Sequence, residues 1–392
     1  MDFDLTKEQK MIVKTVKDFM KKEVAPMAEE LDRTGEFPRE VWNAMGGMGL
    51  MGIGIPEEYG GMGMDKFTFT LVTEQIARVC PGLALSFVAH TNLCAHNIAH
   101  NASEEIKHRY LPGLCSGEMI GCLGITEPNA GSDAVGIQTT ANIEGDHMVL
   151  NGSKMFITNG PVADIAMAYV KTDMDKRARG ITAVIIERGT PGFSTAPKMD
   201  KMGNRCSPTS ELIFNNCKAP LSQVVGEINN GIHVMMTGLD TERVAVAGLA
   251  LGIGETALEL GLAYAKSRHQ FNQPISDFQM VKAKLANVYT EIEASRGLIY
   301  RAALLADQAE RGGRGTEIHK LAASAILYTG EAVSRATDTA LQLHGGYGYT
   351  TEYPINRFYR DAKLYEIGAG TSDIRRLVVS EELIKKGCGF MV

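Results

Sequence analysis

The sequence predicts an α+β fold in three successive parts: an N-terminal helical domain, a central β-barrel-like domain and a C-terminal four-helix bundle. Three observations carry that expectation. Apolar residues recur at helical spacing up to about Cys122. Over about 123–230 the period shortens, and Gly- and Asn-rich turns separate short apolar runs. Helical spacing then returns from 231 to the end. The domains expected are therefore 1–122, 123–230 and 231–392.

The first helix should begin at Lys7. Thr6 can cap it and Gln9 completes a capping box, before Ile12, Val13, Val16, Phe19 and Met20 form an apolar face. The Gly- and Pro-containing stretch Gly52–Gly63 reads as a loop. In the middle region Glu144-Gly145-Asp146, Asn151-Gly152 and Asn159-Gly160 read as hairpin signals beside the apolar runs 148–150 and 183–186. Such short strands suit a small barrel or sandwich. The last region predicts helices over 232–268, 277–310, 316–343 and 372–386, with links short enough for a bundle.

Composition narrows the function. The chain has 392 residues, 44% hydrophobic and 22% charged, the balance of an ordinary globular protein. Its net charge of −6 argues against nucleic acid or an anionic membrane as the main partner. No run approaches a membrane span, and no leader is visible at the start. The seven cysteines form no Cys-x-x-Cys pair, so reduced thiols in the cytoplasm are expected and a structural zinc is not. Neither a Gly-x-Gly-x-x-Gly motif after a strand nor a P-loop is present. His96 and His100 lie four apart but lack a third ligand, so a core or surface role is expected over a metal site.

Glu242 is the sharpest chemical clue. On a helix over 232–268, Met235, Leu239, Ala245, Val246, Leu249 and Ile253 make an apolar stripe with Glu242 in its middle. Desolvation there would raise a carboxyl's pKa toward neutrality, as a general base for a carbon acid requires. A glutamate that snorkels outward or pairs with another chain fits the same pattern. Asp240 and Arg243 share a different face and suit either a phosphate or pantetheine anchor, or a plain surface ion pair. The turn Thr126–Asp133 can present N–H groups and hydroxyls to a ligand or be a connecting loop. Gly345-Gly346 and Gly368–Ser372 allow close approach of backbone to a ligand, and Thr371 or Ser372 can cap the last helix.

Six segments together resemble the acyl-CoA dehydrogenase family, in the family's order and over nearly the whole chain. They are Gly54-Ile-Pro-Glu-Glu-Tyr-Gly-Gly61, Gly124-Ile-Thr-Glu-Pro-Asn-Ala-Gly-Ser-Asp133 and Asn151-Gly-Ser-Lys-Met-Phe-Ile-Thr-Asn-Gly160. The others are Arg268-His-Gln-Phe-Asn-Gln-Pro-Ile275, Gln342-Leu-His-Gly-Gly-Tyr-Gly-Tyr349 and the stretch from Arg360 to Arg376. The resemblance implies FAD, an acyl-CoA substrate, an electron-transferring flavoprotein as partner and a homotetramer. It places Thr126 and Thr158 at the flavin ring, with Phe156 where the family usually has Trp. Arg268 and Phe271 would reach the FAD of a neighbouring subunit, with Gln279, Gln342 and Gly346 along its adenosine diphosphate and Thr371 and Asp373 at that end. Ser132, Asp240 and Arg243 fall at CoA-binding positions.

Most members place the catalytic Glu directly before the C-terminal Gly-Thr-Ser, where this chain has Ala369. The isovaleryl-CoA dehydrogenase branch is similar to this chain in having Gly-Ala-Gly-Thr-Ser there, and it supplies the base from Leu-Asp-x-Glu-Arg. Leu239-Asp-Thr-Glu-Arg243 matches, which selects Glu242 over the nearby Glu366. The implied chemistry is removal of the α proton by Glu242 and of a β hydride by flavin, with the thioester carbonyl polarised at the Ala369 N–H. Gly368 and Ala369 leave a wider pocket, which suits a branched acyl group such as isovaleryl. A bulkier 2-substituted succinyl or alicyclic acyl group also fits, with His90 able to stand in for the missing arginine at Ala84. An acyl-CoA oxidase, or a silent CoA- or flavin-binding assembly protein, are the alternatives.

Overall fold

The computed structural model describes residues 5–310 and 317–389. The first part is helical: α1 Lys7–Phe19, α2 Ala28–Thr34, α3 Arg39–Gly47, α4 Lys66–Ala77, α5 Pro81–Val88, α6 His96–Asn101 and α7 Glu104–Cys115. Thr6 caps α1 through Gln9 in a complete capping box, and Asp65 caps α4 by accepting from Thr68 N at 2.7 Å. A π-helical stretch, Ala89–Ala95, joins α5 to α6.

Eight strands follow: β1 Gly121–Gly124, β2 Thr140–Glu144, β3 His147–Thr158, β4 Ile165–Lys171, β5 Ile181–Glu187, β6 Phe193–Thr195, β7 Thr209–Pro220 and β8 Val224–Val225. They form one sheet in the order β6-β7-β3-β2-β4-β5-β8, with β1 parallel to β4. Of the three hairpin signals, only the one at Gly145 is a hairpin, setting Glu144 opposite His147. Asn151-Gly152 is a bulge, because β3 shifts register on β7 between Leu150 and Gly152. Asn159-Gly160 ends β3 and leads to β4, which pairs with β1, β2 and β5 instead. An Asn-Gly pair supplies a left-handed residue cheaply whether the chain turns or bulges, so it does not specify pairing.

The last part begins with α8 Gly231–Ser267, then the hairpin of β9 His269–Gln270 and β10 Gln273–Pro274. After it come α9 Gln279–Glu310, α10 Ile318–His344, α11 Pro354–Ala362 and α12 Ser372–Lys386. The helix expected from 277 starts two residues later, because Ile275–Asp277 wind as a 3-10 turn. Thr316, the expected start of the next helix, lies outside the described residues.

The expected one-sided stripe on α8 is in fact a core helix: every residue from Val244 to Glu255 is buried. It packs against α4, α9 and α10. Small residues allow this. A Cβ on Gly252 would lie 2.4 Å from the Glu74 carbonyl oxygen, so α4 and α8 meet backbone to backbone there. The helix is long and apolar enough to cross a membrane, but most of that stretch is buried in the bundle.

Candidate active site

Glu242 sits on α8 just before this buried stretch and keeps part of its own surface open. Desolvation pushes its carboxyl up to about 7, opposed by the nearby charges of Arg243 and Arg375. No hydrogen bond and no ion pair holds it among the described residues. Glu366 is its opposite. Burial would raise that carboxyl too, but hydrogen bonds from Ser334 and from Lys363, at 2.9 Å, outweigh it and hold it below the ordinary value. A carboxylate already bonded twice is a poor proton acceptor.

Between α11 and α12 the chain turns sharply. Ala369 has φ +56° and Gly370 φ +83°. A side-chain-bearing residue in the left-handed region is costly, and it persists only where its surroundings hold it. Thr371 caps α12, its hydroxyl accepting from Ile374 N at 3.2 Å. Asp373 is exposed on the first turn of that helix.

In the β region a buried ion pair fixes the loop after β1. Lys154 Nζ donates to Glu127 Oε1 at 2.6 Å and to the Ile125 carbonyl at 3.3 Å, while Gln138 and Thr139 N–H groups also donate to Glu127. Met155 N–H donates to Thr126 O at 2.8 Å, tying the loop to β3. β3 then bulges between Lys154 and Ile157, and Phe156, at φ +62°, points outward with 66% of its surface exposed. The Thr126 and Thr158 hydroxyls are half-buried and make no hydrogen bond among the described residues. Ser132 is exposed farther along the same loop.

At the far end of α8 lies a cleft of about 490 Å³, lined by Arg268, Gly345, Gly346 and Tyr347 among others. Side chains added at either glycine would meet only open space. The Arg268 guanidinium lies 5.9 Å over the Tyr347 ring. Beyond it the β9–β10 hairpin turns through Phe271 and Asn272, both with positive φ, and Phe271 is 87% exposed. Gln279 and Gln342 are exposed nearby in sequence but do not line this cleft.

Asp240 and Arg243 form a largely buried group rather than a surface pair. Arg243 Nη1 donates to Asp240 Oδ1 at 3.0 Å, and His319 Nδ1 lies 2.8 Å from the same oxygen. His90 cannot replace the arginine absent at Ala84. Its Nε2 donates to Leu114 O and its Nδ1 accepts from Gly121 N, both at 3.0 Å, so neither nitrogen is left for a substrate carboxylate. Burial keeps it neutral, with a pKa near 4. His96 is buried against His100 and lies 3.0 Å from Lys66 Nζ.

Family models for the N-terminal, middle and C-terminal domains of acyl-CoA dehydrogenase match residues 6–118, 122–217 and 229–384. The chain belongs to the acyl-CoA dehydrogenase family. The mitochondrial isovaleryl-CoA dehydrogenase of Solanum tuberosum is 45% identical over 381 residues, 96% of this chain and 91% of that one. The solved butyryl-CoA dehydrogenase of Megasphaera elsdenii is 40% identical with a TM-score of 0.94, over 98% of this chain and 100% of that one. An FAD complex of PigA is 28% identical with a TM-score of 0.93, over 99% of this chain and 100% of that one. This acyl-CoA dehydrogenase is an FAD-dependent oxidoreductase acting on CoA thioesters. The structure fits that cofactor: unbonded threonine hydroxyls, an outward aromatic on a strained bulge and an arginine-lined cleft are all present.

Sequence reasoning met Lys154 and Arg375 only inside family segments and gave neither a role. Neither position differs locally from a surface cation. Their burial follows from partners outside their own turn of chain, Glu127 for Lys154 and the Tyr365 carbonyl for Arg375.

Proposed function

We propose that Glu242 is the base of this acyl-CoA dehydrogenase and that its substrate is a branched short-chain acyl-CoA of the isovaleryl type. The observation that carries the reading is the contrast between the two candidate carboxyls: Glu242 is unbonded with a pKa near 7, whereas Glu366 is bonded twice. A base of that pKa is half ionised at neutral pH and can take the weakly acidic α proton of a thioester. Ala369 supplies the N–H that polarises the thioester carbonyl, and Gly368 beside it leaves room for a branch at Cβ. Asp240, Arg243 and Ser132 hold the CoA portion.

Thr126, Phe156 and Thr158 hold FAD at its ring, and Arg268, Phe271, Gln279, Gln342, Gly346, Thr371 and Asp373 hold its nucleotide end. FAD supplies the two-electron acceptor for the β hydrogen. Within one chain these residues fall in separate places, and the exposed Phe271 supports assembly in which a neighbouring subunit completes the cofactor site, in a homotetramer. An electron-transferring flavoprotein then receives the electrons. The division at about 122 and 230, and a cytoplasmic location for a chain with six buried free thiols, belong to the same reading.

Anaerobic titration of the flavoprotein with isovaleryl, isobutyryl, butyryl, glutaryl, cyclohexanecarboxyl and benzylsuccinyl thioesters tests it. Isovaleryl-CoA should bleach the flavin fastest. Faster bleaching by glutaryl- or benzylsuccinyl-CoA would overturn the substrate assignment. Mixing the reduced enzyme with aerated buffer separates a dehydrogenase, which reoxidises slowly, from an oxidase.

A further inference from the structure

Arg375 lies on the second turn of α12, and only 1% of its surface is exposed. A buried guanidinium needs acceptors. It has two on one turn of chain: it donates to the Tyr365 carbonyl at 2.6 Å and to the Gly368 carbonyl. Its Nε has no acceptor among the described residues. The residue after Gly368 is Ala369, held at φ +56°. The fork of Arg375 is thus the side-chain bond nearest to a strained peptide that would otherwise relax.

The same guanidinium is among the charges felt by Glu242. Among the described residues, three ionisable groups act on that carboxyl: Arg243 from its own helix, Arg375 from α12 and the buried Tyr169 from β4. Arg243 already bonds Asp240, and Tyr169 is neutral because burial raises its phenol far above the ordinary range. Arg375 has Arg243, Glu331 and Glu366 as its other charged neighbours, and neither glutamate forms an ion pair with it among the described residues. Arg243 is the larger of the two charges that oppose desolvation at Glu242, and Arg375 is the second. A direct ion pair would occupy the carboxyl, whereas a charge at a distance leaves it open.

We infer that Arg375 is a positioning residue of this enzyme: its fork to the Tyr365 and Gly368 carbonyls clamps the turn that presents Ala369, and the same two bonds fix the guanidinium whose charge acts on Glu242. The inference rests on Glu242 being the base. Its two parts separate by substitution. Arg375→Met removes both fork and charge, whereas Arg375→Lys keeps the charge but cannot span two carbonyls.

The test is the pH profile of kcat/KM for the most active thioester, with flavin content and melting temperature measured alongside. Arg375→Met should move the acid limb up by about one pH unit, since loss of a nearby cation raises a carboxyl's pKa. Activity at pH 7 should drop about tenfold, partly recovered by pH 8.5, with KM raised severalfold at every pH. Arg375→Lys should return the limb to its wild-type position and leave KM raised. An unmoved limb in Arg375→Met, or normal KM in both variants, would overturn the inference. If Arg375→Met does not retain flavin, Arg375→Lys is compared with Arg375→Gln on the same measurements.

The titration can also be followed without turnover, as the pH at which the melting gap between Glu242→Gln and its parent stops widening, with and without Arg375→Met. Glu242→Gln itself keeps the two failures apart. Normal turnover in that variant sinks the base assignment, whereas an inactive Glu242→Gln with an unmoved limb in Arg375→Met sinks only the role of Arg375.

Discussion

The two ends of α8 solve different problems. Around Glu242, the proposed base, the carboxyl, Arg243, Arg375 and Tyr169 come from α8, α12 and β4 of one polypeptide, and burial raises both the carboxyl and the phenol. Around Arg268 the same helix ends in an open cleft and a hairpin whose Phe271 is almost wholly exposed in a strained turn. Acid–base chemistry needs low dielectric, so it is built where packing excludes water. A site that admits a large cofactor stays open within the single chain. The closed end is thus set by burial and the open end by unsatisfied surface.

The most damaging change should be Glu242→Gln, with turnover down about 10²–10⁴-fold and flavin retained, read by the rate of substrate bleaching in stopped flow. Normal bleaching would erase the contrast between the two ends. The same variant carries a stability signature. A carboxyl lifted to about 7 in the folded state binds a proton that the unfolded chain has released, so the wild type loses stability as pH rises from about 4.5 to 7. Glu242→Gln should therefore melt higher than wild type at pH 8, and the gap should close by pH 4.5. A constant gap would mean that the carboxyl is not desolvated.

Lys154→Met should come next. It leaves Glu127 buried without its cation, at a cost of about 3–5 kcal/mol in denaturant unfolding. A change below about 1 kcal/mol would show that water reaches the loop.

At the open end, Phe271→Asn keeps a residue that tolerates positive φ and removes the ring. It should weaken FAD binding about tenfold, measured by flavin fluorescence, with the monomer's melting temperature nearly unchanged. Unaltered FAD affinity would detach the hairpin from the cofactor. The smallest effect belongs to Glu366→Gln, within about twofold in kcat/KM, because that carboxylate is bonded to Ser334 and Lys363 rather than open to a substrate.

How much of this was legible beforehand differs by kind of feature. The cap at Thr6, the helix from Ser372 to Lys386 and the Gly145 turn are local, because spacing and side-chain type decide them within a few residues. Asn151-Gly152 and Asn159-Gly160 misled because backbone permissiveness is local but strand pairing is not. His90 could be put forward as a carboxylate reader only while its backbone partners, Leu114 and Gly121, were unknown.

By itself the sequence determined the order of helical and β regions, the family motifs and the position of Glu242 on a long apolar helix. Periodicity and motif spacing are properties of neighbours along the chain. Only the tertiary structure decided that α8 is buried all round from Val244 to Glu255, that Lys154 meets Glu127, and that Arg375 reaches the turn before Ala369. Burial and charge proximity depend on which distant segments pack together. The ionisation of a carboxyl follows those packing partners rather than its neighbours in sequence.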